Sequence, residues 1–220
     1  MSFLITAENT GFSYVATFVE PNLDLLKEES RLLLGKKLIK SFGLHLNEIK
    51  YNFETLSNSW ITFSKILNPG FFQVSYGLEE FSVSARDPLD EKQIAEFCGK
   101  IFELSDKTPV SIQKMTLNQH FNVVESKVDL FFQSINPHTP SKFDGILDSR
   151  GVSYNLKIPE DQLSIHIALA KSVFVKEGLF FYVEMQFFPN KYEFYPAFAI
   201  AKKHYDFILD TLNLSIKGEL

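Results

Sequence analysis

Five histidines, one cysteine and 27 carboxylates are the side chains from which this chain could build a reaction centre or a metal site. His45, His120, His138, His166 and His204 each stand alone in sequence. No H-E-x-x-H, H-x-H or C-x-x-C spacing occurs, so no ligand pair is set on one helix face or one strand face as a zinc site requires. His204 and Asp206 fall on one helical stretch but two residues apart, so they project in different directions and read as ordinary surface. The single Cys98 excludes an intramolecular disulfide and a cysteine cluster. It sits between Phe97 and Ile101 on an apolar helical stripe, which predicts a buried, inert thiol. The 10 glycines form no cluster between a strand and a helix, which a phosphate-cradling loop needs, and no G-x-S-x-G elbow is present. Glu28/Glu29 and Glu79/Glu80 are sequence neighbours rather than an acid–base pair, while Asp87, Asp90 and Glu91 suit a helix N-terminus. The expectation is therefore a non-enzymatic protein with no cofactor and no metal.

The elements that must position these residues follow from composition and periodicity. Phenylalanine is the outlier, with 23 copies against one tryptophan, and it predicts a sheet-rich core. Net charge is −5, and the densest basic cluster, Arg31, Lys36, Lys37 and Lys40, has Glu28 and Glu29 beside it. Nucleic-acid binding is disfavoured on that ground. The N-terminal Met-Ser-Phe-Leu-Ile-Thr-Ala-Glu has neither a basic start nor a long apolar run, and no segment approaches a membrane span, so a cytoplasmic protein is expected.

Phe3–Ala7 and Phe12–Val19 read as a hairpin turning at Glu8-Asn9-Thr10-Gly11. Asn22 is placed to cap a helix with Leu25, Leu26, Leu32, Leu33, Ile39 and Phe42 on its apolar face, bent or broken at Gly35 and closed by Gly43. Four strands follow around Ile49–Phe53, Trp60–Ile66, Phe71–Tyr76 and Phe81–Ala85, with turns at Ser57-Asn58-Ser59 and Asn68-Pro69-Gly70. Asp87-Pro88 opens a helix carrying Ile94, Phe97, Cys98, Ile101 and Phe102. A long strand from Pro109 to Val124 changes parity, and a bulge near Gln113 or Lys114 would restore one buried face. A short helix capped by Ser126 then leads to a loop over 136–151. Strands at Tyr154–Ile158, Leu163–Val175 and Leu179–Phe188, a turn at Lys176-Glu177-Gly178 and a helix from Tyr195-Pro196 complete the order. This predicts an α+β protein, antiparallel strands with helices packed on one face. Its order suggests a β-α-β(3–4)-α unit used twice, with an N-terminal half 1–106 and a C-terminal half 107–220 packed as one compact unit; a single irregular domain is the plainer alternative.

If helices cover the apolar parity, the other parity is a polar platform. In the first half it presents Lys50, Asn52, Glu54, Gln73, Ser75, Ser82, Ser84 and Arg86. In the second it presents Lys114, Thr116, Asn118, His120, Asn122, Asn155, Lys157, Ser164 and His166. Phe180, Tyr182 and Phe188 put aromatics on this same parity, where something should cover them: the 136–151 loop, a second subunit or a partner. The candidate partner-binding residues are thus His120, Asn118, Asn122, His166, Lys157, Phe180, Tyr182 and Phe188. The function expected is binding of a protein partner or self-association. The alternative is a small-ligand binder or enzyme with a pocket between the sheet and loop 136–151, using His120, His166 and His138.

Overall fold

A computed structural model describes residues 2–55, 58–67, 70–87, 91–104, 109–135, 151–188 and 193–217. Period-two patterning makes most of them strand. In chain order the elements are β1 (Phe3–Phe18), α1 (Glu28–Phe42), β2 (Ile49–Thr55), β3 (Asn58–Leu67), β4 (Gly70–Gly77), β5 (Glu80–Arg86), α2 (Glu91–Leu104), β6 (Val110–Val123), α3 (Val128–Ile135), β7 (Gly151–Ile158), β8 (Leu163–Lys171), β9 (Gly178–Phe187), α4 (Phe194–Thr211) and β10 (Leu214–Ile216). The fold is α+β. The described strands form a ten-stranded sheet in the order β2-β3-β4-β5-β1-β6-β9-β8-β7, with β10 pairing parallel to β1. No described helix is long and apolar enough to cross a membrane.

The chain divides into two compact units. One is Gly11–Met115 with Gln186–Phe198; the other is Met1–Thr10, Thr116–Met185 and Ala199–Leu220. They are called below the Gly11–Met115 unit and the Thr116–Met185 unit.

In the Gly11–Met115 unit, register places Phe63 opposite Val74, Val74 opposite Val83 and Val83 opposite Tyr14, and all four are buried. Side chains on one rung of paired strands share a face, so this rung defines the covered one. Two helices cover it with aromatic rings. Phe42 of α1 lies 5.3 Å from Phe63, and Phe97 of α2 stacks on Phe72 at 4.3 Å. Much of the phenylalanine excess is spent here, where each well-placed ring pair adds about 0.5–1.5 kcal/mol beyond its buried area. Cys98 is buried on the same helix, and burial pushes its thiol far above the ordinary value.

Several sequence expectations change. The hairpin expected at Glu8–Gly11 is absent: β1 runs unbroken for 16 residues. Gly11 is not among the positive-φ glycines, and its residue pairs with Arg86 as ordinary strand. The apolar parity nevertheless slips there, from Phe3 and Ile5 to Phe12, Tyr14, Ala16 and Phe18, across an exposed stretch at Ala7–Asn9. The first helix is also rotated from the expected face. Leu23–Leu26 forms a separate 3-10 turn, Asn22 makes no side-chain cap, and α1 buries Leu34, Leu38 and Phe42 while Leu32 and Leu33 stay exposed. Gly35 does not break the helix; the Tyr51 hydroxyl occupies the space where a Cβ would stand. Gly43 closes α1 in the left-handed region, at φ 60°, as expected.

The common apolar face expected along β6 is not formed. Val110 and Ile112 are only half-buried, and Gln113 takes a buried place, accepting a 3.0 Å hydrogen bond from the Tyr14 hydroxyl. The expected features at Ser57, Asn68-Pro69, Pro88 and 136–150 lie outside the described residues, as do the side chains of Ser126 and Glu54.

In the Thr116–Met185 unit, β7 and β8 pair over eight residues without a shift, from Gly151 opposite Ala170 to Ile158 opposite Leu163. Helix α3 sets Phe131 edge-on to Phe3 at 5.4 Å. Helix α4 sets the Tyr205 ring 5.9 Å from Phe181, and the Tyr205 hydroxyl donates to Gln119 Oε1 at 2.5 Å.

Tyr14 is fully buried, so its hydroxyl exists to meet Gln113. Tyr14→Phe should lower stability by about 1–2 kcal/mol, because a buried acceptor loses a donor while packing is kept. Urea unfolding with an unchanged slope checks this.

Candidate functional site

The helices of the Thr116–Met185 unit touch the parity of Phe181, Ile167 and Tyr154. The opposite parity of β6, β9, β8 and β7 is therefore not the one these described helices cover. Strand pairing puts Asn155 opposite His166 and Lys157 opposite Ser164 on it. Asn118, Asn122, Asn155 and Lys157 are exposed there, and Phe180, Tyr182 and His166 are half-buried among them.

Two histidine–aromatic pairs organise this face. His166 Nδ1 lies 2.9 Å from Asn155 Oδ1, and its ring meets the Tyr182 ring edge-on at 6.0 Å. Since the Asn155 oxygen can only accept, Nδ1 carries the proton in this contact. The Tyr182 hydroxyl donates to Glu184 Oε2 at 3.0 Å. Burial, followed by the Glu184 carboxylate, pushes that hydroxyl above its ordinary value of 10.0.

His120 is different in kind. It is only 6% exposed and lies against Phe180, with ring centroids 4.8 Å apart, and edge-on to Phe174 at 4.7 Å. Its Nδ1 is 2.8 Å from Ser172 Oγ. Ser172 Oγ already accepts from the backbone N–H groups of Phe174 and Val175, at 3.1 and 2.9 Å. Its own proton is thus free to be donated to Nδ1, which leaves the imidazole neutral with the proton on Nε2. Burial holds His120 below the ordinary value of 6.5. The turn after β8 therefore closes over His120, and His120 in turn lies over Phe180. Part of the aromatic surface anticipated from sequence is covered by the chain itself.

The eight candidates are not brought together as one set. His120 and Phe180 touch; Tyr182, His166 and Asn155 form a second group; Asn118, Asn122 and Lys157 are exposed on the same unit. Phe188 belongs to the Gly11–Met115 unit and is 42% exposed. His138 lies outside the described residues. His204 is not plain surface, as the sequence suggested. Its Nε2 meets Asp161 Oδ2 at 2.7 Å, tying α4 to the turn between β7 and β8. The partners are 43 residues apart, and no local pattern announces them.

The other side of this unit holds a cavity of about 550 Å³. Phe3, Leu130, Ile135, Tyr154, Leu156, Ile167, Phe207, Ile208 and Leu212 line it, with Ser134, Thr211 and Asn213. The Ser134 and Thr211 hydroxyls donate to Phe131 and Phe207 carbonyls of their own helices, at 2.7 Å each, so the cavity is largely apolar. Neither His120 nor His166 lines it. Among the described residues no three His, Cys, Asp or Glu side chains could hold a metal ion.

No protein-family model matches the chain, and no curated protein matches it.

His120 generates a pH prediction. Its folded value lies below 6.5, so between the two values the unfolded chain binds more protons than the folded one. Its contribution to stability is then complete above the unfolded value and falls away as pH drops through it. Denaturant titrations at about pH 7.5 and about pH 5.5 should show a loss of stability on acidification, and His120→Gln should make that loss smaller. An unchanged loss in the variant would assign the acid sensitivity elsewhere.

Proposed function

We propose that this chain is a cytoplasmic, non-enzymatic binding protein that docks a protein partner, or a second copy of itself, on the face of the Thr116–Met185 unit that no described helix covers. One observation carries the reading: Tyr182, Phe180 and His166 stand half-buried, inside a border of exposed Asn118, Asn122, Asn155 and Lys157. An aromatic centre with a polar rim is the anatomy of protein interfaces, where tyrosine and other rigid aromatics carry most of the binding energy. The polar members are suited to hydrogen bonding rather than bond making. His166 is engaged by Asn155 and Tyr182 by Glu184.

Photo-crosslinking in the native cell tests this. A photoreactive residue at position 182 should give one discrete crosslinked protein, another species or the chain itself. The same residue at position 50 should not. Equal background labelling at both positions would overturn the reading.

A second reading has its own observation, the apolar cavity between α3, α4 and β7. Its volume falls in the range of small-molecule sites, about 300–1,000 Å³. An apolar ligand without a charged head would suit it. Leu212→Trp, which fills the cavity, should abolish uptake of a hydrophobic fluorescent probe; uptake unaffected by the filling would remove this reading.

A further inference from the structure

The sheet has two lateral edges, and they are built differently. At one end, β2 carries the devices that natural proteins use to blunt an edge. Its register with β3 shifts between Phe53 and Thr55, and the Arg31 guanidinium lies 4.5 Å over the Phe53 ring. The Tyr51 hydroxyl is tucked against Gly35 of α1.

At the other end, β7 has none of these. It pairs with β8 over eight residues in unbroken register, contains no proline and carries a single charge, Lys157. Among the described residues it hydrogen-bonds to β8 alone. Among the described residues its outer edge is a row of unpaired backbone donors and acceptors about 27 Å long at the usual rise per residue. Such an edge is a template for another extended chain.

The sequence of β7, Gly-Val-Ser-Tyr-Asn-Leu-Lys-Ile, is its own complement. Val152, Tyr154, Leu156 and Ile158 share the parity that faces the apolar cavity, and Ser153, Asn155 and Lys157 share the other. A twofold axis through Asn155 keeps these parities together. It sets Tyr154 opposite Leu156 of a second copy, and Lys157 opposite Ser153, so no like charges meet. A parallel, in-register arrangement would instead bring lysine beside lysine. The apolar parity also has surface left to bury, since Leu156 is 36% exposed and Phe207, which shares the cavity wall with it, is 60% exposed. A closed, isologous contact of this kind is the commonest way for a protein to pair with itself.

We propose that β7 pairs antiparallel with β7 of a second copy, about an axis near Asn155, giving a homodimer with one sheet continued through both chains. The pairing uses the strand edge and stands whether or not the open face of the same unit docks a partner.

Sedimentation of the full chain and engineered thiols test it together. The wild type should be a dimer. Leu156→Lys should weaken the dimer at least about tenfold with unchanged circular dichroism, because it places charge on the apolar side of the edge. Tyr182→Ala should leave the dimer intact, which separates this contact from docking on the open face. Asn155→Cys should form an intermolecular disulfide under mild oxidation. Lys50→Cys, on the exposed β2 edge, should not. Cys98 is buried and does not compete. A strictly monomeric wild type at about 100 µM, a dimer indifferent to Leu156→Lys, or crosslinking at position 50 equal to that at 155 would each overturn the proposal. The thiol pair keeps the test decisive should Leu156→Lys fail to fold.

Discussion

A β-strand can hide only every second side chain, and each unit of this protein is arranged around that restriction. Where helices lie on a sheet, they absorb one parity of every strand beneath them. The rung Phe63, Val74, Val83 and Tyr14 shows the consequence, since a residue's partner on the next strand is committed to the same fate. The other parity is covered by no described helix and must be soluble, or useful, by itself. Serine and glutamine meet that demand in the Gly11–Met115 unit, where Gln73 pairs with Ser84 and Ser75 with Ser82. In the Thr116–Met185 unit the demand is met less completely, because Phe180 and Tyr182 share the open parity with Asn118 and His166.

That restriction also explains which parts of the molecule were legible in the sequence. β4, β5 and β8 alternate cleanly because each has one covered and one open face; β4 and β5 lie within a residue of where periodicity puts them, while β8 ends at Lys171, four residues short of the expected Val175. Helix α4 was legible for the analogous reason at helical spacing. β1 was not. Glu8-Asn9-Thr10-Gly11 has the composition of a turn, but turn residues permit a reversal without compelling one. The 16-residue strand instead changes parity over an exposed stretch, where no buried contact resists the change. The buried face of α1 departs from the periodicity for a related reason. Leu25, Leu26, Leu32 and Leu33 fit one helical stripe only if the helix is continuous from Asn22. The interruption after Leu26 resets the phase, so that Leu34 and Leu38 are buried instead.

The candidate site was legible as a set of parities and illegible as a set of contacts. Alternation correctly put His120 and His166 on the side away from the apolar residues of their strands. It could not say that one would be nearly buried and the other half-open, because that depends on the turn after β8. There Ser172 captures two backbone N–H groups and turns Phe174 onto the imidazole. The outcome is two histidines of different character on one face. A neutral, ring-packed His120 serves as a wall, whereas His166 keeps a polar contact at the surface. The aromatic excess on this parity is thereby reduced from three residues to Tyr182 and the uncovered part of Phe180, because Phe188 belongs to the other unit.

β6 carries the strongest specification of register. Among the described residues, three of the four buried polar side chains, Gln113, Gln119 and His120, lie on this one strand. Each meets a partner within its own unit: Tyr14 for Gln113, Tyr205 for Gln119 and Ser172 for His120. A hydrophobic strand can slip and still find apolar neighbours, at the cost of packing alone. A slip of β6 by one residue would exchange its faces, break all three hydrogen bonds and carry His120 to the side on which Phe121 and Val123 are buried. Each such loss costs about 1–3 kcal/mol, a large share of the marginal stability of a domain. The partners come from a strand, a helix and a turn distant in sequence, so no alternative register satisfies all three. β6 contributes residues to both units. Within the Thr116–Met185 unit, Gln119 and His120 tie adjacent residues of the strand to Tyr205 on one face and Ser172 on the other, and so fix the register in which the open face is presented.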